Sequence, residues 1–217
     1  TRKESSAASD VYKRQVFQSY TLFPWMTVGD NIKFGLKLRK MPADQQEEIL
    51  NKYLKIIKLE KFRDSYPREL SGGMKRKLMV CRALLTEPEI LLLDEPTAGM
   101  DALSRRQMWN LLRQLNDHNL TILLTTHYME EAESLCQRVA FMDRGRLEEV
   151  SEPKKMVEQL GHFAVDEMTS DGLKSHYFKN REDAIAHLSR LTGQTALRNT
   201  TLEDVFVARA EQKERQR

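Results

Sequence analysis

Apolar residues recur with a helical period over the first half of the chain. A helical pattern begins at Asp30, and a longer one follows Pro42. In the longer stretch charged residues occupy the opposite face, and the apolar positions are Ile49, Leu50, Tyr53, Leu54, Ile56 and Ile57. This spacing predicts an amphipathic helix packed against a core. A further helix is predicted from Ser71 to about Thr86, where Pro88 ends it.

Short apolar runs alternate with further helical patterns in the second half. Runs of four or five apolar residues without alternation indicate strands buried on both faces. We predict strands at Ile90 to Leu93, Leu120 to Leu124 and Val139 to Met142, with helices between them from about Ala102 to Asp117 and from Met129 to Leu135. Strands that alternate with helices of this length predict an α/β fold with a parallel sheet covered by helices on both faces.

The pattern changes at both ends of the chain. Residues 1–15 are polar, with only Val11 and Tyr12 as large apolar residues, so we interpret them as a disordered or spurious leader. The alternative is an ordinary amino-terminal tail. After Pro153 shorter elements follow, with strands near 163–166 and 176–178 and helices near 181–191 and 201–210. We predict that residues 155–217 form a small α+β carboxy-terminal extension.

Composition narrows the class of protein. Apolar residues make up 40% and charged residues 31% of the 217 positions, which is typical of a soluble globular chain. No apolar run approaches the ~18 residues that span a membrane, and we expect no secretory signal. Cys81 and Cys136 lack metal-ligand spacing and indicate buried thiols in a reducing cytoplasm. The net charge of +3 comes from the two ends of the chain, which argues against a nucleic-acid partner.

Two adjacent acids follow the first predicted strand. Asp94 and Glu95 come directly after the run that ends at Leu93, and His127 follows the next strand. In parallel sheets ligands bind beyond the carboxyl ends of the strands. One acid could hold Mg²⁺ or its water while the other takes a proton from an attacking water. Alternatively, His127 is a capping or packing residue.

A glycine pair opens one of the predicted helices. In Leu70-Ser71-Gly72-Gly73 the glycines allow a close backbone approach, Ser71 supplies a hydroxyl, and the free N–H groups of the helix start favour an anion such as phosphate. The alternative is an ordinary serine cap with glycines in a loop. The combination with the strand-end acids favours a phosphate ligand.

Five motifs in order resemble the nucleotide-binding subunit of an ATP-binding-cassette (ABC) transporter. They are Val16-Phe17-Gln18 (Q-loop), Leu70 to Gly73 (signature motif), Ile90 to Glu95 (Walker B), Ala98-Gly99-Met100-Asp101 (D-loop) and Thr126-His127 (switch histidine). The resemblance implies a P-loop NTPase-like fold in residues 16–154, incomplete at the amino terminus, with a helical subdomain at about 30–88.

The resemblance also implies a role for each motif residue. Gln18 and Asp94 would contact Mg²⁺, and Glu95 would be the general base. His127 would contact the γ-phosphate of ATP, and Asp101 would communicate between two active sites. Ser71, Gly72 and Gly73 would close over the ATP of a second ABC ATPase subunit.

The chain departs from the family pattern at two places. Met74 stands where the signature often has a glutamine, and no G-x-x-x-x-G-K-S/T loop is present to hold the β- and γ-phosphates. The chain is therefore either an incomplete ATPase sequence or a degenerate subunit. The intact Asp94, Glu95 and His127 favour an incomplete sequence. We expect the 217-residue chain to have no ATPase activity when it is alone.

The expected partner is a membrane-spanning permease that holds the subunit at the inner face of the cell membrane. We expect at least one of Tyr20, Phe23, Pro24 and Trp25 to make this contact; the alternative is that Phe23 and Trp25 belong to the core of the helical subdomain. Leu22 to Val28 and Tyr66 to Leu70 resemble nitrate- or taurine-type importers, whereas Leu202 to Phe206 resemble ABC-2 type exporters. We expect export, with import or a non-enzymatic regulatory role as alternatives. A soluble cassette ATPase of translation or DNA maintenance would need a second cassette or a coiled-coil insertion.

Overall fold

The computed structural model describes residues 13–16, 22–117, 120–170 and 172–215. The predicted residues Gln18 and Tyr20 lie outside these ranges. The chain divides into two compact units, and the boundary lies between His127 and Tyr128. The predicted division into a cassette domain to residue 154 and an extension from residue 155 stays a prediction.

A parallel sheet organises the first unit. Its strands β1 (Lys13–Val16), β2 (Ile90–Asp94) and β3 (Thr121–Thr125) lie in the order β1-β2-β3, so β2 is central. The predicted parallel sheet is confirmed. Strand β1 includes the last three residues of the predicted leader, whose boundary at residue 15 stays a prediction.

Strand β3 is less covered than expected. Leu91 and Leu93 of the central strand are buried, but Leu123 of β3 is 63% exposed. The expectation that both faces of every strand are buried is therefore wrong for β3. β3 lies at an edge of the sheet that the described residues form.

Four helices complete the first unit: α1 (Val28–Leu38), α2 (Ala43–Ile57), α3 (Gly72–Leu84) and α4 (Ala102–Asp117). Helix α1 begins where the Thr27 hydroxyl accepts a hydrogen bond from the Asp30 N–H. Helix α2 buries Leu50, Leu54 and Ile57, as its amphipathic pattern predicted. The single-turn 3-10 helices Glu60–Phe62 and Pro67–Glu69 lead from α2 to α3.

The second unit begins with α5 (Met129–Leu135) and a hairpin of β4 (Val139–Asp143) and β5 (Arg146–Ser151). The prediction that the Val139 strand joins the parallel sheet is wrong, because β4 pairs antiparallel with β5. Arg144 and Gly145, between the strands, have φ of 47° and 75°, the left-handed backbone of a tight hairpin turn. The sequence did not predict β5 as this partner, because β5 is mostly polar.

An antiparallel sheet follows in the same unit. After α6 (Pro153–Leu160), strands β6 (Phe163–Thr169), β7 (Gly172–Phe178) and β8 (Thr195–Asn199) assemble in the order β7-β6-β8, with α7 (Arg181–Leu188) before β8 and α8 (Leu202–Arg215) at the end. Strand β8 was not predicted, because its residues alternate poorly. A hydrophobic cluster of this unit contains Ala132, Val139, Phe141, Met156, Leu202 and Val205.

None of the helices in the described ranges is long and apolar enough to cross a bilayer.

Candidate functional site

The central strand and its neighbour end at the same level. Asp94, the last residue of β2, is paired with Thr125, the last residue of β3. The residues that follow, Glu95 on one side and His127 on the other, therefore leave the sheet at the same edge. This is the arrangement predicted from the parallel strands.

Direct contacts join the two strand ends. The His127 Nδ1 atom lies 3.0 Å from Glu95 Oε1. The Thr125 hydroxyl donates a hydrogen bond to Asp94 Oδ1 at 2.5 Å. Thr125 was not singled out from the sequence, although its place opposite Asp94 in the register could have identified it. Glu95 and His127 remain accessible, with side chains 30% and 57% exposed.

The backbone at Glu95 is strained. Its φ is 45°, a left-handed conformation that side chains other than glycine adopt at a cost. Three hydrogen bonds hold it there. The Glu95 N–H donates to the Thr125 carbonyl at 3.0 Å and to the Thr125 hydroxyl at 3.3 Å, and the Ala98 N–H donates to the Glu95 carbonyl at 3.2 Å. In this backbone conformation the Glu95 carboxylate lies beside His127, and strained residues of this kind cluster at functional sites.

The donor set at this edge suits a hard cation bound through few protein ligands. Asp94 supplies carboxylate oxygens and Thr125 a hydroxyl, and Mg²⁺ prefers oxygen ligands. Within the described ranges no cluster of three or more metal-ligating side chains occurs. Mg²⁺ is commonly held by one or two carboxylates together with phosphate oxygens and water. Gln18, the other predicted ligand, lies outside the described residues.

The glycine pair forms the start of α3. Ser71 is the N-cap, and its hydroxyl accepts a hydrogen bond from the Met74 N–H at 3.3 Å. Gly72 and Gly73 are the first two residues of the helix. An added Cβ at Gly73 would lie 3.0 Å from the Ser104 Cβ, so Ser104 would have to shift by a few tenths of an ångström to admit a larger residue. Ser71 thus caps the helix, as the alternative interpretation of this motif expected. The start of the helix remains open to an anion.

Asp101 belongs to the same neighbourhood as Gly73. Its carboxylate accepts hydrogen bonds from the Ser104 hydroxyl at 2.6 Å and from the Ser104 N–H at 2.8 Å. These bonds lower the pKa of Asp101 and keep it ionised. Ser104, which was not predicted, therefore connects the start of α3 with Asp101.

A parallel sheet with paired acids at its strand ends, together with a glycine-opened helix, is typical of nucleotide-binding α/β domains. Comparison with known proteins agrees. Residues 3–98 match the profile of the ABC transporter family. A solved structure, the dimeric post-hydrolysis state of the ATP-binding cassette MJ0796 bound to ADP and Pi, superposes with a TM-score of 0.58 at 27% identity, covering 65% of this chain and 62% of that one. Residues 3–98 are thus similar to the ABC transporter family, and the structure shares the fold of a solved ATP-binding cassette.

Curated relatives carry the names of import proteins. The spermidine/putrescine import ATP-binding protein PotA of Trichodesmium erythraeum is 38% identical over 161 residues, 72% of this chain and 42% of the relative. The probable sulfate/thiosulfate import protein CysA of Chlorella vulgaris is 39% identical, covering 65% and 60%. The methionine import protein MetN 1 of Bacillus thuringiensis is 43% identical, covering 61% and 39%. The matches thus span about 40–60% of these relatives' lengths.

Proposed function

We propose that these residues belong to the ATP-binding and ATP-hydrolysing subunit of an ABC transporter. In this proposal the subunit sits at the inner face of the cell membrane, where it couples ATP hydrolysis to movement of a substrate through a permease. The observation that carries the proposal is the Glu95–His127 contact of 3.0 Å beside Asp94, at the ends of two adjacent parallel strands. The dimeric state of the MJ0796 cassette supports a second ATPase subunit as partner.

Each residue at the strand ends has a distinct task in this proposal. Glu95 accepts a proton from the water that attacks the γ-phosphate, and its accessible carboxylate lets that water approach. His127 orients the Glu95 carboxylate and contacts the γ-phosphate. Asp94, with Gln18, holds Mg²⁺, which when bound neutralises charge on the phosphate oxygens.

The glycine-opened helix serves the second subunit. Ser71, Gly72 and Gly73 contact the phosphates of ATP that the partner holds, and the N–H groups at the start of α3 favour that negative charge. Asp101 connects the two sites through Ser104. The 217 residues contain no phosphate loop, so we expect no measurable ATP affinity from this chain alone.

Import is the direction that the relatives support. PotA, CysA and MetN are all named as import proteins, and none of these three supports the export that the sequence led us to expect. We therefore propose import. Leu202 to Phe206 remain the argument for export. ATP-driven uptake into vesicles that contain the permease tests the direction, and efflux would contradict import.

The decisive experiment replaces the proposed base in the complete gene product assembled with its permease. We expect Glu95→Gln to slow ATP turnover by about 10²- to 10⁴-fold, because the amide accepts no proton, while ATP binding persists. The matched control is Glu89→Gln, an exposed residue just before the start of β2, which should turn over normally. Unchanged turnover in Glu95→Gln would refute the assigned role.

A further inference from the structure

A short turn just before α1 presents an aromatic side chain to solvent. Residues 23–26 form this turn, in which the Met26 N–H donates a hydrogen bond to the Phe23 carbonyl at 3.2 Å. Trp25, in the middle of the turn, is 70% exposed, and the neighbouring Pro24 is exposed as well. The turn contains none of the residues assigned to the proposed ATP site.

One buried amide side chain holds the turn from below. Asn31 of α1 is fully buried, and its Oδ1 accepts a hydrogen bond from the Phe23 N–H at 2.9 Å. Its Nδ2 donates to three backbone carbonyls, those of Phe23 and Met26 at 3.1 Å and that of Thr27 at 3.0 Å. Both ends of the amide are thus satisfied, which compensates for its burial. Asn31 therefore fixes the backbone of residues 23–27 in one conformation.

The Phe23 ring attaches the same turn to two helices. Its centroid lies 4.6 Å from that of the Phe34 ring in α1, and the guanidinium carbon of Arg82 in α3 lies 4.8 Å from it. Phe23 is half-buried by these contacts, whereas Trp25 projects beside it with a centroid distance of 5.7 Å. The turn is therefore anchored on its inner side and presents Trp25 on its outer side.

The place of the turn along α3 indicates which partner it meets. Arg82 lies in the last turn of α3, and Gly72 is the first residue of the helix. The two residues are ten positions apart, about 15 Å along the helix axis. The surface proposed for the second ATPase subunit is therefore at the opposite end of α3, which leaves the permease as the partner at Trp25.

We propose that Trp25 is an anchor of the contact with the permease and that Asn31 is the residue that positions it. This inference rests on the proposed transporter function. Tryptophan is enriched among the residues that dominate binding free energy at interfaces, and a turn that is already rigid loses little conformational entropy on binding. The permease segment that fits is apolar where it meets the indole ring, with a hydrogen-bond acceptor for the indole N–H.

Surface plasmon resonance between the complete ATPase subunit and its permease, purified in detergent micelles, tests the proposal. We expect Trp25→Ala to weaken binding by at least about tenfold, and Asn31→Ala to weaken it by about threefold to tenfold because the turn is no longer held. The double variant should bind as Trp25→Ala does, since Asn31 acts through Trp25. Leu38→Ala is the matched control, because Leu38 is also 70% exposed and lies in the same unit, and it should bind normally.

Four results would overturn the proposal. They are normal permease binding by Trp25→Ala, an additive loss in the double variant, an equal loss in Leu38→Ala, and a loss of subunit dimerisation in Trp25→Ala in place of a loss of permease binding. An additive loss would mean that Asn31 serves only the stability of the unit. If Asn31→Ala fails to fold, Asn31→Ser, which keeps a hydroxyl for one of the hydrogen bonds, replaces it.

ATP turnover of Glu95→Gln in the same complex separates this inference from the proposed function. Slow turnover in that variant together with normal permease binding by Trp25→Ala would overturn only the role of Trp25. Wild-type turnover in Glu95→Gln, or a wild-type subunit that does not bind the permease, would overturn the proposed function and the inference that rests on it.

Discussion

Two groups of charged side chains, one in each unit, are built in opposite ways. In the first unit Glu95 and His127 share one contact, stay accessible, and rest on a strained backbone. In the second unit Arg198 lies between Asp166 and Asp204, with an N–O distance of 2.7 Å to each, and both carboxylates are nearly buried. The first group is accessible to a ligand, whereas the carboxylates of the second group are nearly buried and pair with Arg198 within the fold.

The electrostatics of the buried group follow from its contacts. Hydrogen bonding to Asp204 is the largest effect that raises the pKa of Arg198. Burial alone would raise the pKa of Asp204, but hydrogen bonds from Arg198 and from Thr201 outweigh burial and hold that pKa below its ordinary value. Accessible acids with a strained backbone indicate chemistry, and fully satisfied buried acids indicate stability.

The largest expected effect concerns the accessible group. In the complete transporter, His127→Ala should lower ATP turnover by about 10²-fold, because Glu95 loses the group that orients it. Steady-state phosphate release measures this. His162→Ala removes an exposed imidazole from the second unit and serves as control. Equal rates in the two variants would mean that His127 only caps the strand end.

The buried group should respond in stability. Arg198→Met leaves Asp166 and Asp204 without their cation, and we expect it to cost about 2 kcal/mol of unfolding free energy, less than for a fully buried pair because the Arg198 side chain is 36% exposed. Hydrogen exchange of the β6 amides reports the loss locally. Arg190→Met, at an exposed arginine of the same unit, should change stability by less than ~0.5 kcal/mol. An equal loss of stability in both variants would show that Arg198 stabilises the unit no more than an exposed arginine does.

Two glycines with different surroundings, Gly73 in α3 and Gly35 in α1, test how tightly the start of α3 is packed. Gly73→Ala should destabilise the first unit by about 1–2 kcal/mol, because its Cβ would press on Ser104. Gly35→Ala, inside α1 with no atom within 4 Å of the added Cβ, should stabilise it by about 1 kcal/mol. Tryptophan fluorescence follows this unit during urea unfolding, since Trp25 and Trp109 both lie in it. Stabilisation by Gly73→Ala would show that the close approach is not needed.

Acid should weaken the buried group by a smaller amount. Because the pKa of Asp204 is lowered in the folded state, its contribution is complete above the ordinary aspartate pKa, about 4, and is lost as pH falls through the lowered value. The denaturant concentration at which the second unit is half unfolded should fall as pH is lowered from 7 to 3. This fall should be less steep for Asp204→Asn than for the wild type. Glu182→Gln, at an exposed acid, should keep the wild-type slope, and parallel curves for all three proteins would contradict the prediction.

Local patterns of apolar residues in the sequence predicted much of the fold. The apolar run before Asp94 predicted the central strand, and the period-3.6 pattern after Pro42 predicted α2, because both patterns record which side chains face a core. The proximity of Glu95 and His127 followed from one rule, that parallel strands end at a common edge.

Partners distant in the chain were decided by the tertiary structure. No local pattern shows that β4 pairs with β5 and leaves the parallel sheet, since an apolar strand is equally suited to either neighbour. The left-handed backbone of Glu95, the Ser104 link between Gly73 and Asp101, and the burial of Lys77 beside an amide depend on contacts across many residues. By itself the sequence indicated which face of α2 is buried and which acids end a strand. The tertiary structure decided what each of them touches, because pairing energies arise only when separate segments meet.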